Sequence, residues 1–235
     1  MRMEDADVPR PIYDHVSELR KRLLVCLASV AVLSGLCYLF YDHILGMLVR
    51  PLGSKLIFTS PSEAFVLSFK ISLLFGAILS TPIIFFEAWK FFSVVLNVGV
   101  KKRVLGYLAA SALLSAGAVL FCYLVVIPAA LRFLLGFGWP FMEPLISASQ
   151  YFSFVITLFL SFVLAFQMPL VIIFLVRSGL VSIKTFTSKR VYVILIIFVA
   201  AAVITPSGDA FTQICLSVPL VLLFEMSILF LKLTS

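Results

Sequence analysis

Apolar residues run along this chain in six long blocks, separated by short stretches that collect charge, proline and glycine. The blocks cover residues 23–41, 64–88, 104–127, 150–176, 191–205 and 210–231. A helix rises 1.5 Å per residue, and a bilayer core about 30 Å thick needs about 20 apolar residues to cross it. The fifth block, residues 191–205, is the exception and covers only about 22 Å at that rise. It reads either as a re-entrant segment or as one arm of a short hairpin over a thinned membrane. The turn Pro206-Ser207-Gly208-Asp209 supports the hairpin. Proline and glycine end a helix, and Asp209 can cap the next one.

Inside the blocks, Pro82, Pro169 and Pro219 predict kinks. Kinked, tilted helices splay into a concave shape. Two connections, residues 42–63 and 128–149, are partly apolar. Ile44, Leu45, Met47 and Leu48 predict a short helix in the first, and Leu131, Phe133, Leu134, Leu135 and Phe137 one in the second. Both are expected to lie across one face as a lid.

Composition strengthens the membrane reading. The chain is 63% hydrophobic and only 12% charged, against roughly a quarter charged in soluble domains. A net charge of +7 could suggest nucleic acid. The basic residues, however, flank apolar blocks and show no binding stripe. Of the 18 lysines and arginines, Arg50, Lys55 and Arg132 fall on one side and Lys70 falls within a span. The other fourteen share the opposite side, which marks it as cytoplasmic. Both termini are then cytoplasmic, as an even number of crossings requires. The first apolar block follows Arg20, Lys21 and Arg22 and is long enough to be retained as a span.

Catalytic chemistry finds little footing. His15 and His43 lie on opposite sides, and no H-E-x-x-H or phosphate-binding glycine loop occurs. Cys26, Cys37, Cys122 and Cys215 lie in or beside apolar runs without C-x-x-C spacing, so they read as packing residues. No enzyme, metal or cofactor is expected.

Ionisable and amide groups among the apolar blocks are the informative residues. Lys70 lies near a span end and can snorkel. Glu225 lies on a strongly apolar helix, open to a pairing or binding role or to a structural hydrogen bond. Gln167 precedes Pro169 and can bond carbonyls freed by the kink or line a polar cavity. In the segment 14–24, Glu18 and Arg22 are four apart and can pair on a surface helix. Trp89 suits a membrane interface. Glu87 lies at a helix C-terminus, where the helix dipole disfavours a carboxylate and a cation beside it would be welcome.

Several motifs lie in order along nearly the whole chain. They are His15-x-x-Glu18-Leu19-Arg20-Lys21-Arg22-Leu23, Arg50-Pro51-Leu52, the run Phe65 to Lys70 and Phe86-Glu87-Ala88-Trp89-Lys90-Phe91. Phe166-Gln167-Met168-Pro169, Thr205-Pro206-Ser207-Gly208-Asp209 with the residues to Gln213, and Pro219 to Glu225 follow. Together they resemble the TatC family, the multispanning subunit of the twin-arginine protein translocase. The resemblance implies an all-α membrane protein of one domain, with six transmembrane helices in a cup-like bundle. It implies a bacterial cytoplasmic (inner) membrane location and a receptor for twin-arginine signal peptides of folded cargo. Transport would draw on the proton gradient, with TatA- and TatB-like single-span partners, the lipid bilayer and self-association.

On this resemblance Glu18, Arg20, Glu87, Phe91 and Leu96 are the expected signal-peptide contacts. Pro51, Gln167, Asp209 and Glu225 are the further functional positions. The chain departs from the family in four places. Val100 stands at a loop glutamate, Glu87 at a common glutamine, Gln167 at a frequent glutamate, and Pro-Ser-Gly-Asp replaces Pro-Pro-Asp. The expectation is that Glu87 takes over the missing loop carboxylate. The competing readings are a small-solute or ion secondary transporter, which would want charged residues at the midplane, and a structural scaffold.

Overall fold

A computed structural model describes residues 12–53, 56–58, 60–95, 104–136, 145–205 and 209–234. Ten α-helices account for most of them, and no strand occurs among the described residues. The helices are α1 Ile12–Leu39, α2 Tyr41–Val49, α3 Glu63–Val95, α4 Val104–Phe121, α5 Ile127–Gly136, α6 Ala148–Phe166, α7 Met168–Arg177, α8 Ile183–Ser188, α9 Arg190–Ile204 and α10 Ala210–Thr234. Five stretches are long and apolar enough to cross a membrane: Val16–Leu39, Glu63–Phe92, Gly106–Gly136, Ala148–Arg177 and Ala210–Thr234. The remaining apolar helix, α9, has 15 residues, the short element the hydropathy pattern marked.

The helix α6 lies at the centre. Phe152, Val155, Leu158, Phe159 and Phe162 are all at most 1% exposed. It packs against α3, α4 and α10, where Ile71, Ala118 and Phe224 are equally enclosed. By contrast α1 is almost bare, with 6% of its spanning window buried, because it leans chiefly on α3. Lipid is as apolar as a leucine core, so such a helix needs close packing rather than hydrophobic burial to stay docked. Gly76 of α3 supplies the close approach. A Cβ at that position would lie 2.6 Å from Ser34 Cα of α1, inside any real contact. Only glycine lets the two backbones come this near.

The structure changes two local expectations. Residues 14–24 form no separate surface helix, because α1 runs unbroken from Ile12 through the basic cluster. The second lid segment does not follow a loop either. Helix α4 continues through a π turn, Cys122–Val126, directly into α5. Pro128 cannot donate to the carbonyl of Leu124, and the ladder widens just before it, with Ile127 N–H reaching Cys122 O. The helix expected in the first connection is present as α2.

Polar contacts lock the end of the bundle where α2 lies. Tyr151 Oη donates to Leu48 O at 2.6 Å and Tyr123 Oη donates to Met47 O at 3.1 Å. These carbonyls, in the last turn of α2, have no partner within their own helix. Ile57 pairs with the entry to α6, through Ile57 N to Ile146 O and Ala148 N to Ile57 O, both 3.0 Å. Glu63 Oε1 accepts from Ser149 N at 2.5 Å, capping α6 from the start of α3.

The seam between α1 and α3 yields a test. Gly76→Val should lower the melting temperature in detergent by about 2–12 °C, from an overpacking cost of about 1–3 kcal/mol. Gly117→Ala, where nothing lies within 4 Å of the added carbon, should leave it unchanged or slightly higher.

Candidate functional site

Helix α3 has 33 residues, roughly 50 Å, well beyond a core of about 30 Å. Its C-terminal turns, the charged end of a helix longer than that core, carry Glu87, Trp89, Lys90 and Phe91. The N-terminal turns of α1 run beside them, because the two helices pack along their length.

The pairing at this end is specific. Arg22 Nη2 donates to Glu18 Oε1 at 2.5 Å within α1, and Arg22 Nη1 donates to Glu87 Oε2 at 3.1 Å on α3. One guanidinium thus bridges two carboxylates from different helices. The side chains of Arg22 and Glu87 are 14% and 13% exposed and that of Glu18 is 29% exposed, so water reaches the cluster from the Glu18 side. Lys90 Nζ lies 3.7 Å from Glu87 Oε1 and 4.6 Å above the Phe86 ring. Helix α3 runs on to Val95, eight residues past Glu87, so the helix end expected at this carboxylate is not there, and the partners of Glu87 are the protein's own cations.

Trp89 corrects an expectation. It does not face the membrane interface; it is buried, stacked on Tyr107 of α4 at 4.0 Å and edge-on to Phe174 of α7 at 4.3 Å. This aromatic cluster fixes the rotation of the α3 end, and with it the direction of Glu87. Phe91, one turn after Glu87, meets Phe92 edge-on at 5.5 Å. Arg20 is exposed on α1. Leu96 and Val100 lie outside the described residues, as does the Pro206-Ser207-Gly208 part of the outer turn.

The other expected positions are scattered. Gln167, 5% exposed, joins the α6–α7 break to α4. It accepts from Ser111 Oγ at 2.9 Å and donates to Ser115 Oγ at 2.9 Å, so it serves a neighbouring helix rather than its own kink. Glu225 of α10 pairs with Arg190 of α9, the partner its sequence position left open. Asp209 caps α10 by accepting from Thr212 N at 2.8 Å and Thr212 Oγ1 at 2.7 Å. Pro51 begins a 3-10 turn ended by Gly53 at φ 68°, a left-handed conformation suited to glycine. It lines an open cavity of about 550 Å³ with Arg50 and Arg132, far from Glu18 and Glu87. Lys70 is exposed on α3. Among the described residues no cluster of three or more His, Cys, Asp or Glu could hold a metal ion.

Sequence reasoning missed Arg22 as a long-range partner. The i,i+4 spacing announced its bond to Glu18, while the bond to Glu87 spans 65 residues and left no local trace.

The architecture defines a multi-pass, all-helical membrane protein whose acidic pair is held at one end by an arginine. Known proteins narrow this further. The family described as "Sec-independent protein translocase protein (TatC)" matches residues 14–219. The TatC protein of Aquifex aeolicus is 35% identical over 232 residues, 96% of each chain. That of Carboxydothermus hydrogenoformans is 31% identical over 96% of this chain and 94% of its own length. A crystal structure described as the twin arginine translocase receptor TatC in DDM superimposes with a TM-score of 0.82 at 35% identity. It covers 92% of this chain and 98% of that one. This chain belongs to the TatC family of protein translocase components.

The amide cluster offers a check on packing. Gln167→Ala and Ser111→Ala should each destabilise the protein in detergent, and a double-mutant cycle should return a coupling of about 0.6 kcal/mol, at most about 1.7.

Proposed function

We propose that this chain is the signal-peptide receptor and core subunit of a twin-arginine translocase. It would export folded proteins across the bacterial cytoplasmic membrane at the expense of the proton gradient. The observation that carries this reading is the acidic pair. Glu18 and Glu87, brought from two helices, stand within hydrogen-bond reach of one guanidinium. A site that already accepts a guanidinium from two sides has the chemistry that a pair of peptide arginines requires. The solved relative described as a receptor supports the same reading.

In this reading α9 is the sixth crossing, thinning the membrane around its hairpin with α10. The basic side, with Glu18 and Glu87, is cytoplasmic, as are both termini. The bare flank of α1 suits contact with single-span helical partners of the TatA and TatB type, with further copies of this chain, or with lipid. Glu87 supplies the carboxylate that Val100 lacks, and Arg20, Phe91 and Leu96 flank the peptide.

A secondary transporter would need free polar groups near the midplane. Gln167 is already bonded to Ser111 and Ser115, and Glu225 to Arg190, so that reading is less well supported.

The test is peptide binding by the purified full chain. Glu18→Gln and Glu87→Gln should each weaken a twin-arginine signal peptide by about tenfold or more, the loss expected of one charged hydrogen-bond partner. The same variants should export less of a folded, twin-arginine-tagged reporter in cells whose own TatC has been removed. Undiminished binding by both variants would refute the receptor reading.

A further inference from the structure

Arg22 occupies the place where a ligand arginine would go. Each carboxylate gives it one oxygen, Glu18 through Oε1 and Glu87 through Oε2. Its Nε is buried and has no hydrogen-bond partner. A guanidinium fully committed to structure satisfies its buried donors. This one is held by two single bonds from its terminal nitrogens, on a cluster open to water at Glu18.

The charges lead to the same point. Two carboxylates face two cations, Arg22 and Lys90, so the cluster is already balanced. Adding two further guanidiniums without removing any would leave a half-buried, doubly positive site. Like charges at such range repel strongly where water is partly excluded. Two arginines therefore enter only if the resident one leaves.

We propose that Arg22 is a resident competitor: it fills the acidic pair in the empty protein, is displaced by the ligand, and thereby raises the affinity any peptide needs to a level that two arginines reach. The proposal rests on the receptor reading above. Arg22 is tethered to the site and outcompetes any single ligand arginine, which can do no more than repeat its bridge. Two adjacent arginines do better, because each can present its own fork to one carboxylate where Arg22 spends one nitrogen on each. The second arginine binds at the high effective concentration set by the first. A lysine offers a point charge and no fork, and so cannot repeat even the resident bridge. Once released, Arg22 lies one helical turn from Glu18, free to swing toward solvent.

The experiment compares Arg22→Gln and Arg22→Lys with the unaltered chain. Each is purified whole in detergent and titrated with fluorescent peptides carrying Arg-Arg, Lys-Arg or Lys-Lys in one otherwise constant signal sequence. Arg22→Gln should bind the Arg-Arg and the Lys-Arg peptides each about tenfold more tightly, by one common factor, because each must displace the same resident guanidinium. Arg22→Lys, a weaker competitor that keeps a cation between the helices, should fall between the two.

Unchanged affinity for the Arg-Arg and Lys-Arg peptides in both variants would overturn the proposal. So would weaker binding of all three peptides, or loss of folded protein in both variants, since Arg22 would then be a structural strut. Parallel titrations with Glu18→Gln and Glu87→Gln separate the two ideas. If those lose peptide while Arg22→Gln gains nothing, the competitor fails and the receptor stands. If those bind normally, the receptor reading fails first.

Discussion

The close approach of α1 to α3 underlies the arrangement at the acidic end. A helix with 6% of its window buried gains little from hiding apolar surface, and lipid would solvate it equally well. What holds it is contact at short range, at Gly76 against Ser34 and at Arg22 against Glu87. The first contact sets the distance between the helices. The second sets their register, because a guanidinium at 3.1 Å tolerates little sliding. Together they turn two unremarkable acidic residues into a paired site.

The two ends of the bundle are built on different principles. At the far end, side chains close backbone groups: Tyr151 and Tyr123 on the last carbonyls of α2, Glu63 on the first turn of α6. Those bonds are short and partly enclosed, suiting a rigid cap. At the acidic end the contacts are between charges, with Arg22, Glu18 and Glu87 only 13–29% exposed, and two buried donors, Arg22 Nε and Trp89 Nε1, have no partner. A charge pair this enclosed gains little net over the cost of desolvating it, so a better-matched partner can take its place. Rigidity is supplied from behind, by Trp89 packed among Tyr107 and Phe174, so the carboxylate keeps its direction while its partner is free to change.

Polar groups within the apolar layer follow the rule that lipid enforces. Gln167 finds two serines on α4, and Glu225 finds Arg190 at the start of α9. Both contacts join neighbouring helices; the Gln167 bonds relieve a buried dipole, while the Glu225–Arg190 pair is partly exposed. That use of Gln167 commits both hydrogens of its amide nitrogen and one lone pair of its oxygen.

The amino-acid sequence by itself determined the features that depend on composition and near neighbours. Apolar blocks of helical length fixed the helices, 15 residues marked α9 as short, i,i+4 spacing paired Glu18 with Arg22, and Asp209 announced the cap of α10. Tertiary structure alone decided which faces meet. It joined Arg22 to Glu87, drew Trp89 from the interface into an aromatic stack, matched Glu225 with Arg190, and ran α4 through a π turn into α5. The reason is the solvent. In water, a polar stripe reveals which side of a helix faces inward. These helices are apolar on every side, because the surrounding lipid and the protein core are alike, so the pattern carries helix lengths and not helix orientations.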